Sequence, residues 1–408
     1  DRYHPSPYAL LHESEITMRT EGDFIKINEW LSPLSWLYGL GVKFRNLLFD
    51  TGVLKSQSFN TPVISVGNIT VGGSGKTPHV EYLIRLLQDY VPVTVLSRGY
   101  KRKTKGYQLA NAHSTMSDIG DEPYQMKMKF DSIHIAVDAK RTRGIAHIIN
   151  DKETRDTGAI LLDDAYQHRY VKPGINILLV DYHRLIIYDR LLPAGRLREP
   201  ATEKKRADIV IVTKCPKDLK PMEYRVLTKA MNLFPFQELY FTTIDYDNLK
   251  GIYNDKSLSL KEIANKKIVL LTGIASPKQI VTDLSPLCNS IIPITFGDHH
   301  AFTDKDIEYI NQRYQEVDGD KMIVTTEKDA TRLTETEGLS EEIKSNIYVL
   351  PIHVTFMLGQ GEKFNHKILS YVRKNSRNAK LLKAKNEQPA KNSSKPVNKP
   401  RTISFKNN

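Results

Sequence analysis

A mainly parallel α/β architecture in two successive units is the fold this 408-residue chain predicts, and three observations carry the prediction. Six short runs, apolar almost throughout, punctuate residues 62–213. A glycine-rich turn joins the first run to a helical pattern. A second, smaller alternation of apolar runs and helical patterns occupies 267–351. Strands apolar on both faces belong to sheets covered by helices on both sides, the usual setting of parallel strands. With 40% apolar residues the chain can bury a sizeable core, and at roughly 100–200 residues per domain it divides into two domains with appendages.

Taken in order, residues 1–24 are polar without periodicity and are expected to form a disordered extension. Residues 25–50 contain a thirteen-residue uncharged apolar stretch, WLSPLSWLYGLGV (30–42), followed by Lys43, Arg45 and the apolar Leu47, Leu48 and Phe49. Thirteen residues are too few to span a bilayer, which needs about 20 in a helix. Aromatic side chains beside cations suit the water–lipid boundary, so an interfacial helix is one reading and an ordinary amphipathic helix packed on its own domain is the other. Pro33, Gly39 and Gly41 argue against one unbroken helix. Residues 51–240 hold the candidate strands at 62–66, 93–97, 132–137, 159–162, 175–180 and 208–213. A polar stretch at 241–260 reads as a hairpin linker into a second α/β domain reaching residue 372, with strands at 267–272, 290–296, 321–326 and 346–351.

The formal net charge of +12 is misleading as an average. Residues 373–408 carry eleven basic side chains against one acid, a local +10, which leaves +2 for the first 372 residues. A nucleic-acid partner is therefore not expected, since its charge footprint would lie across a folded face. The tail reads as disordered, either a solubilising extension or an accessory touching anionic lipid. Cys215 and Cys288 form neither a disulfide framework nor a metal-ligand spacing, which fits a reducing cytoplasmic setting.

The strongest chemical signal is SVGNITVGGSGKTP at 65–78. A strand runs into a glycine-rich loop, and a helix follows with Val80, Leu83, Ile84 and Leu87 on one face. Such a loop turns successive backbone N–H groups inward on a phosphate, the helix dipole adds to their pull, a lysine reaches the β and γ phosphates, and a Thr hydroxyl ligates Mg²⁺. This is a P-loop NTPase-like pattern, so Thr70, Val71, Gly72, Gly73, Ser74, Gly75, Lys76 and Thr77 are the candidate ATP-phosphate cradle. Thr70 stands where the motif's first glycine is usual. The second signal, LLDDAYQHR at 161–169, is a strand ending in two carboxylates. Asp163 and Asp164 are candidate Mg²⁺-linked groups, or else caps of the next helix. The third, GDEP at 120–123, puts Asp121 at a helix start, either as a dipole-favoured acid or as a general base facing the γ-phosphate.

Seven segments in one order, VGNITVGGSGKTP (66–78), LSRGYKRK (96–103), GDEP (120–123), DDAYQHR (163–169), LLPAGRLREP (191–200), GDHHAFT (297–303) and TTEKDATRL (325–333), resemble the tetraacyldisaccharide 4'-kinase family of lipid A biosynthesis. The resemblance runs from about residue 25 to about residue 372. It implies transfer of the ATP γ-phosphate to the 4'-hydroxyl of an acylated glucosamine disaccharide 1-phosphate, a phospholipid substrate, at the cytoplasmic face of the bacterial inner membrane. It implies further that Asp121 and His299 form a dyad that removes the sugar proton, with His300 as the neighbouring alternative. No obligate protein partner is inferred. A substrate with four acyl chains favours the interfacial reading of 25–50, because exposing each CH₂ costs about 0.8 kcal/mol. Ala165 and Tyr166 replace the family's usual glycine and phenylalanine after the acid pair, which puts a positive φ there in doubt. Arg98, Arg102, Arg196 and Arg198 compete for the substrate or nucleotide phosphates. The alternative reading is a membrane-associated regulatory ATPase or GTPase, but DIVIVTKCP (208–216) has Pro216 where guanine reading needs an aspartate.

Overall fold

The computed structural model describes residues 27–274, 277–297 and 300–375. The extension before residue 27, the basic tail after residue 375 and His299 lie outside the described residues.

Among the described residues, fifteen strands form two sheets. The first eight are β1 (Val63–Gly67), β2 (Val93–Ser97), β3 (Gln108–Leu109), β4 (His134–Val137), β5 (Ala159–Asp163), β6 (Ile175–Asp181), β7 (Ile209–Thr213) and β8 (Glu238–Tyr246). The second sheet takes β9 (Leu249–Gly251), β10 (Ser257–Leu258), β11 (Lys267–Thr272), β12 (Ser290–Thr295), β13 (Lys321–Thr326) and β14 (Ile347–Leu350). The last strand, β15 (Ile352–Phe356), returns to the first sheet, whose order is β15-β8-β7-β6-β1-β5-β2-β4-β3. From β8 to β4 this sheet is parallel throughout, and only the edges, β15 on β8 and β3 on β4, are antiparallel. The second sheet, ordered β10-β9-β14-β13-β11-β12, has four parallel strands and an antiparallel hairpin at one edge.

The central strands of both sheets are buried on both faces, as their apolar runs require, whereas the edge strand β12 has only Ile294 buried. In β11, Val269 and Leu271 pack with Ile307 and Ile310 on one side, while Ile268 and Leu270 pack with Leu284 and Met322 on the other. In β1, Ile64 and Val66 meet Val80, Leu83 and Ile84 of the helix Lys76–Leu87, and Val63 faces the opposite layer. Strand β1 is also where the strand order reverses. The chain leaves β1 toward β2 on one side, whereas its neighbour β6 leads on to β7 on the other, so the connections diverge and a crevice opens beyond the carboxyl end of β1.

Sheet membership departs from the linear division at 241–372. Strand β8 straddles residue 241, the short hairpin β9–β10 belongs to the second sheet, and the chain comes back after β14. The closing helix, Gly361–Lys374, buries Phe364, Ile368 and Val372 in the core of the first sheet. Their i, i+4, i+8 spacing makes one apolar stripe, and each fully buried side chain of this size is worth about 1.5–3 kcal/mol. The second unit is thus held at both its ends by the first, through the antiparallel pair β8–β15. Arg373 and Lys374, assigned above to the tail, are the last turn of that helix, where cations favour the dipole.

One continuous helix covers Ser32–Asp50, contrary to the expected interruption. Pro33 lies in its first turn, where no N–H is needed, and a Cβ at Gly39 would come within 2.7 Å of Leu191, so that glycine serves close packing. The helix is inside-out. Its buried residues are Ser35, Gly39, Asn46 and Phe49, whereas Trp36, Leu37, Leu40, Phe44 and Leu47 are each more than half exposed. Polar bonds explain the docked face: Ser35 Oγ donates to Leu191 O (3.0 Å) and accepts from Ala194 N (2.8 Å), and Arg169 donates to Asn46 O (3.1 Å). No helix among the described residues is long and apolar enough to cross a membrane.

Candidate active site

The crevice at the end of β1 gathers the loop Thr70–Gly75. Gly72 and Gly75 hold φ of 113° and 80°, the left-handed side that L residues avoid, and Gly75 leads directly into the helix that begins at Lys76. The loop is braced from several directions. Asn68 Nδ2 donates to Thr70 Oγ1 (3.2 Å) and Ser74 Oγ (2.8 Å), Val71 N donates to Arg196 O (2.8 Å), and Thr213 Oγ1 donates to Ser74 O (3.0 Å). Beneath it lies His79, whose Nδ1 meets Gly75 O at 2.7 Å and whose Nε2 meets Thr242 Oγ1 at 3.0 Å. The carbonyl needs a donor, so Nδ1 carries the proton, and burial holds this histidine neutral by lowering its pKa to about 4. Val71, Gly72 and Gly73 remain exposed, and Lys76 and Thr77 are half-buried at the loop's exit.

Beside the loop, the register pairs Val66 of β1 with Asp163 of β5, which brings the acid pair to the same sheet end. Asp163 is fully buried. Its Oδ2 accepts from Ser97 Oγ (3.0 Å), its backbone carbonyl accepts from the buried Arg141 (3.0 Å), and its Oδ1 has no hydrogen-bond partner among the described residues. Burial, and then the charges of Glu122 and Asp164, push its pKa up to about 7 against the pull of Lys76. Asp164 behaves oppositely: burial raises it, but Lys76 and Arg198 together bring it below the usual carboxylate range. Lys76 Nζ stands 3.8 Å from Asp164 Oδ1, and Arg198 Nη2 stands 3.1 Å from the same oxygen. The positive φ in this turn falls on Asp164 itself (46°), one residue before Ala165, and aspartate tolerates that conformation better than most residues.

An orphaned, buried carboxylate oxygen next to a second acid fits Mg²⁺, which takes one or two carboxylates and completes its shell with phosphate oxygens and water. Among the described residues there is no cluster of three or more His, Cys, Asp or Glu that could hold a metal unaided.

Asp121 opens the helix Asp121–Lys129 after Gly120, whose φ is 93°. Its Oδ2 accepts from Arg332 Nη2 at 2.6 Å, across from the second sheet's helix Glu327–Leu333. The adjacent Glu122 acts on Asp163 instead, so GDEP divides its two charges between the helix Glu327–Leu333 and the acid pair. His300 is engaged elsewhere: it stacks on Phe296 at 4.8 Å, and its Nε2 lies 2.9 Å from Asp306, the residue that caps the helix Asp304–Gln315 with Thr303.

The four arginines separate. Arg198 touches both the loop and the acid pair through Asn68 and Asp164. Arg102 turns to the carbonyls of Gly106 (2.5 Å) and Val137 (3.4 Å), and Arg98 and Arg196 are exposed. Sequence reasoning missed Asn68, Ser97, Gln167 and Arg332, although each lies inside a quoted motif. Gln167 Nε2, for example, donates to Asn68 O at 2.6 Å. Arg141 lies outside every motif and had no local signal.

A family model described as tetraacyldisaccharide-1-P 4'-kinase matches residues 27–373. A tetraacyldisaccharide 4'-kinase of Phocaeicola vulgatus is 58% identical over 362 residues, covering 88% of this chain and 99% of that protein. The protein of the same name in Bacteroides thetaiotaomicron is 52% identical over 373 residues, covering 89% and 98%. A crystal structure of LpxK from Aquifex aeolicus in complex with ATP superposes with a TM-score of 0.63 at 30% identity, over 84% of this chain and 98% of that one. The family-model match over residues 27–373 and the near-complete coverage of these relatives agree with the crevice chemistry: the chain belongs to the tetraacyldisaccharide-1-P 4'-kinase family.

Proposed function

We propose that this chain binds ATP with Mg²⁺ and transfers the γ-phosphate to the 4'-hydroxyl of tetraacyldisaccharide 1-phosphate at the cytoplasmic surface of the bacterial inner membrane. The observation that carries the reading is the meeting of the loop Thr70–Gly75, Lys76 and the acid pair Asp163–Asp164 at the switch point, in a chain of this family. The backbone N–H groups of residues 70–75 would hold the phosphates and Lys76 would bridge the β and γ groups. Asp163 and Thr77 would hold Mg²⁺, which when bound supplies charge neutralisation of the β and γ oxygens. The 4'-oxygen attacks phosphorus, its bond to the β–γ bridging oxygen breaks, ADP leaves, and the hydroxyl proton passes to the dyad of Asp121 and His299. His300 is less suited to that role because Phe296 and Asp306 already hold it. Arg198, against Asn68 and Asp164, is the arginine best placed for a nucleotide phosphate.

The regulatory GTPase reading is not favoured. Lys214, at the position of the guanine-reading lysine, is bonded to Gly73 O and to Asp181 (2.7 Å). Incubation with Mg-ATP and tetraacyldisaccharide 1-phosphate in detergent should yield a disaccharide heavier by one phosphate group in mass detection. ATP hydrolysis with an unmodified lipid would overturn the assignment.

The outward apolar face of the helix Ser32–Asp50 supports docking on the membrane, since solvent-facing Trp36, Leu40, Phe44 and Leu47 make a patch that lipid would cover. The double variant Trp36→Glu/Phe44→Glu should lose at least tenfold in sedimentation with anionic vesicles, while turnover in detergent stays within threefold. Undiminished sedimentation would remove this helix from the membrane contact.

A further inference from the structure

We propose that Arg332 is a positioning residue for phosphoryl transfer, carried by the second domain to hold the carboxylate of Asp121 in the first. The proposal rests on the reading of Asp121 as part of the proton-accepting dyad. Two helices from different sheets, Asp121–Lys129 and Glu327–Leu333, lie against each other with an ion pair at each end. At one end Arg332 Nη2 donates to Asp121 Oδ2 at 2.6 Å. At the other, Lys129 Nζ donates to Glu327 Oε1 (2.6 Å) and to Glu81 Oε2 (2.7 Å), and Glu81 stands on the helix that starts at Lys76. The phosphate-loop helix, the GDEP helix and the second domain are thereby linked by charge.

The guanidinium is itself immobilised. Arg332 Nη1 donates to Asp329 Oδ1 (3.1 Å) and to Gly273 O (3.4 Å). Asp329 is fully buried, its Oδ2 accepting from Gly273 N (2.9 Å) and Thr326 Oγ1 (2.7 Å). A planar fork tied on one side to the second domain's backbone presents its other side to Asp121 at a set angle. Arg332 and Lys129 are both almost wholly buried. Buried ion pairs are poor stabilisers compared with well-packed apolar residues, but breaking one leaves an uncompensated charge. Their placement here makes geometric sense: the carboxylate is aligned only when the two domains are docked.

The test is a double-mutant cycle in the full chain, using Asp121→Asn, Arg332→Ala and both together, with thermal unfolding followed by circular dichroism. Arg332→Ala should lower kcat tenfold or more with the KM for ATP changed by less than threefold, and Arg332→Lys should recover part of the loss. The double variant should be no slower than Asp121→Asn alone. Should Arg332→Ala not fold, Arg332→Lys completes the same cycle. Losses that multiply in the double variant, or Arg332→Ala within threefold of wild type while Asp121→Asn is slow, would overturn the positioning role. Near-normal turnover of Asp121→Asn would instead remove the dyad reading on which it rests.

Discussion

Asp121→Asn is expected to lower phosphoryl transfer by two orders of magnitude or more while leaving ATP affinity nearly intact. A positioned proton acceptor contributes roughly 10² to 10⁴ in rate, and asparagine keeps the shape of the side chain but not its charge or basicity. ATP affinity should survive, because the proposed phosphate cradle of residues 70–75 begins at the end of β1, whereas Asp121 heads a different helix and turns toward Arg332. Initial rates with labelled ATP and the acylated disaccharide, set beside equilibrium ATP binding, separate the two effects. Turnover near that of the unaltered protein would take Asp121 out of proton transfer.

Lys76→Ala should cost more, on the order of 10³-fold or beyond, since electrostatic contacts to a transferring phosphoryl group are among the largest single contributions to such catalysis. The loss has two sources. The ammonium that reaches the β and γ phosphates is removed, and the acid pair loses the cation 3.8 Å from Asp164 that also offsets the upward push on Asp163. With two carboxylates no longer balanced, one is more readily protonated and becomes a poorer partner for Mg²⁺. The fold should be unaffected, because the Lys76 side chain lies at the loop's edge outside the apolar core. Labelled phosphate still reaching the disaccharide at an undiminished rate would exclude the loop from the reaction.

These expectations depend on features of unequal legibility. The strands at 93–97, 267–272 and 321–326 match their apolar runs residue for residue, because a strand covered on both faces has to be apolar nearly throughout. The phosphate loop was equally plain, since left-handed φ at Gly72 and Gly75 is a demand on local residue type. The helix Ser32–Asp50 was harder. Its proline and glycines speak against a helix by propensity, yet Pro33 falls in the first turn and Gly39 meets Leu191, a contact that only the docked helix creates. Periodicity could not say which face would turn inward, because here small and polar residues are the ones that dock.

The candidate site divides in the same way. Lys76 and the acid pair stand in short motifs of recognisable residue type beside a turn, whereas Asp121 was assigned to the dyad only through the family resemblance. The partnership of Asp121 with Arg332 joins residues 211 positions apart, and Lys129 with Glu327 joins residues 198 apart. The return of β15 and the helix Gly361–Lys374 to the first sheet likewise pairs the end of the described chain with its beginning, as when Tyr371 Oη accepts from Val63 N at 3.2 Å. By itself the sequence determined the α/β class, most of the strands, the family and the glycine-rich loop with its acid pair, all of which follow from neighbours along the chain. The tertiary structure alone decided which face of the N-terminal helix is exposed, how the two sheets are tied and what holds Asp121. Those depend on surfaces that come into being only when distant segments pack, and burial then sets the strength of every charge between them.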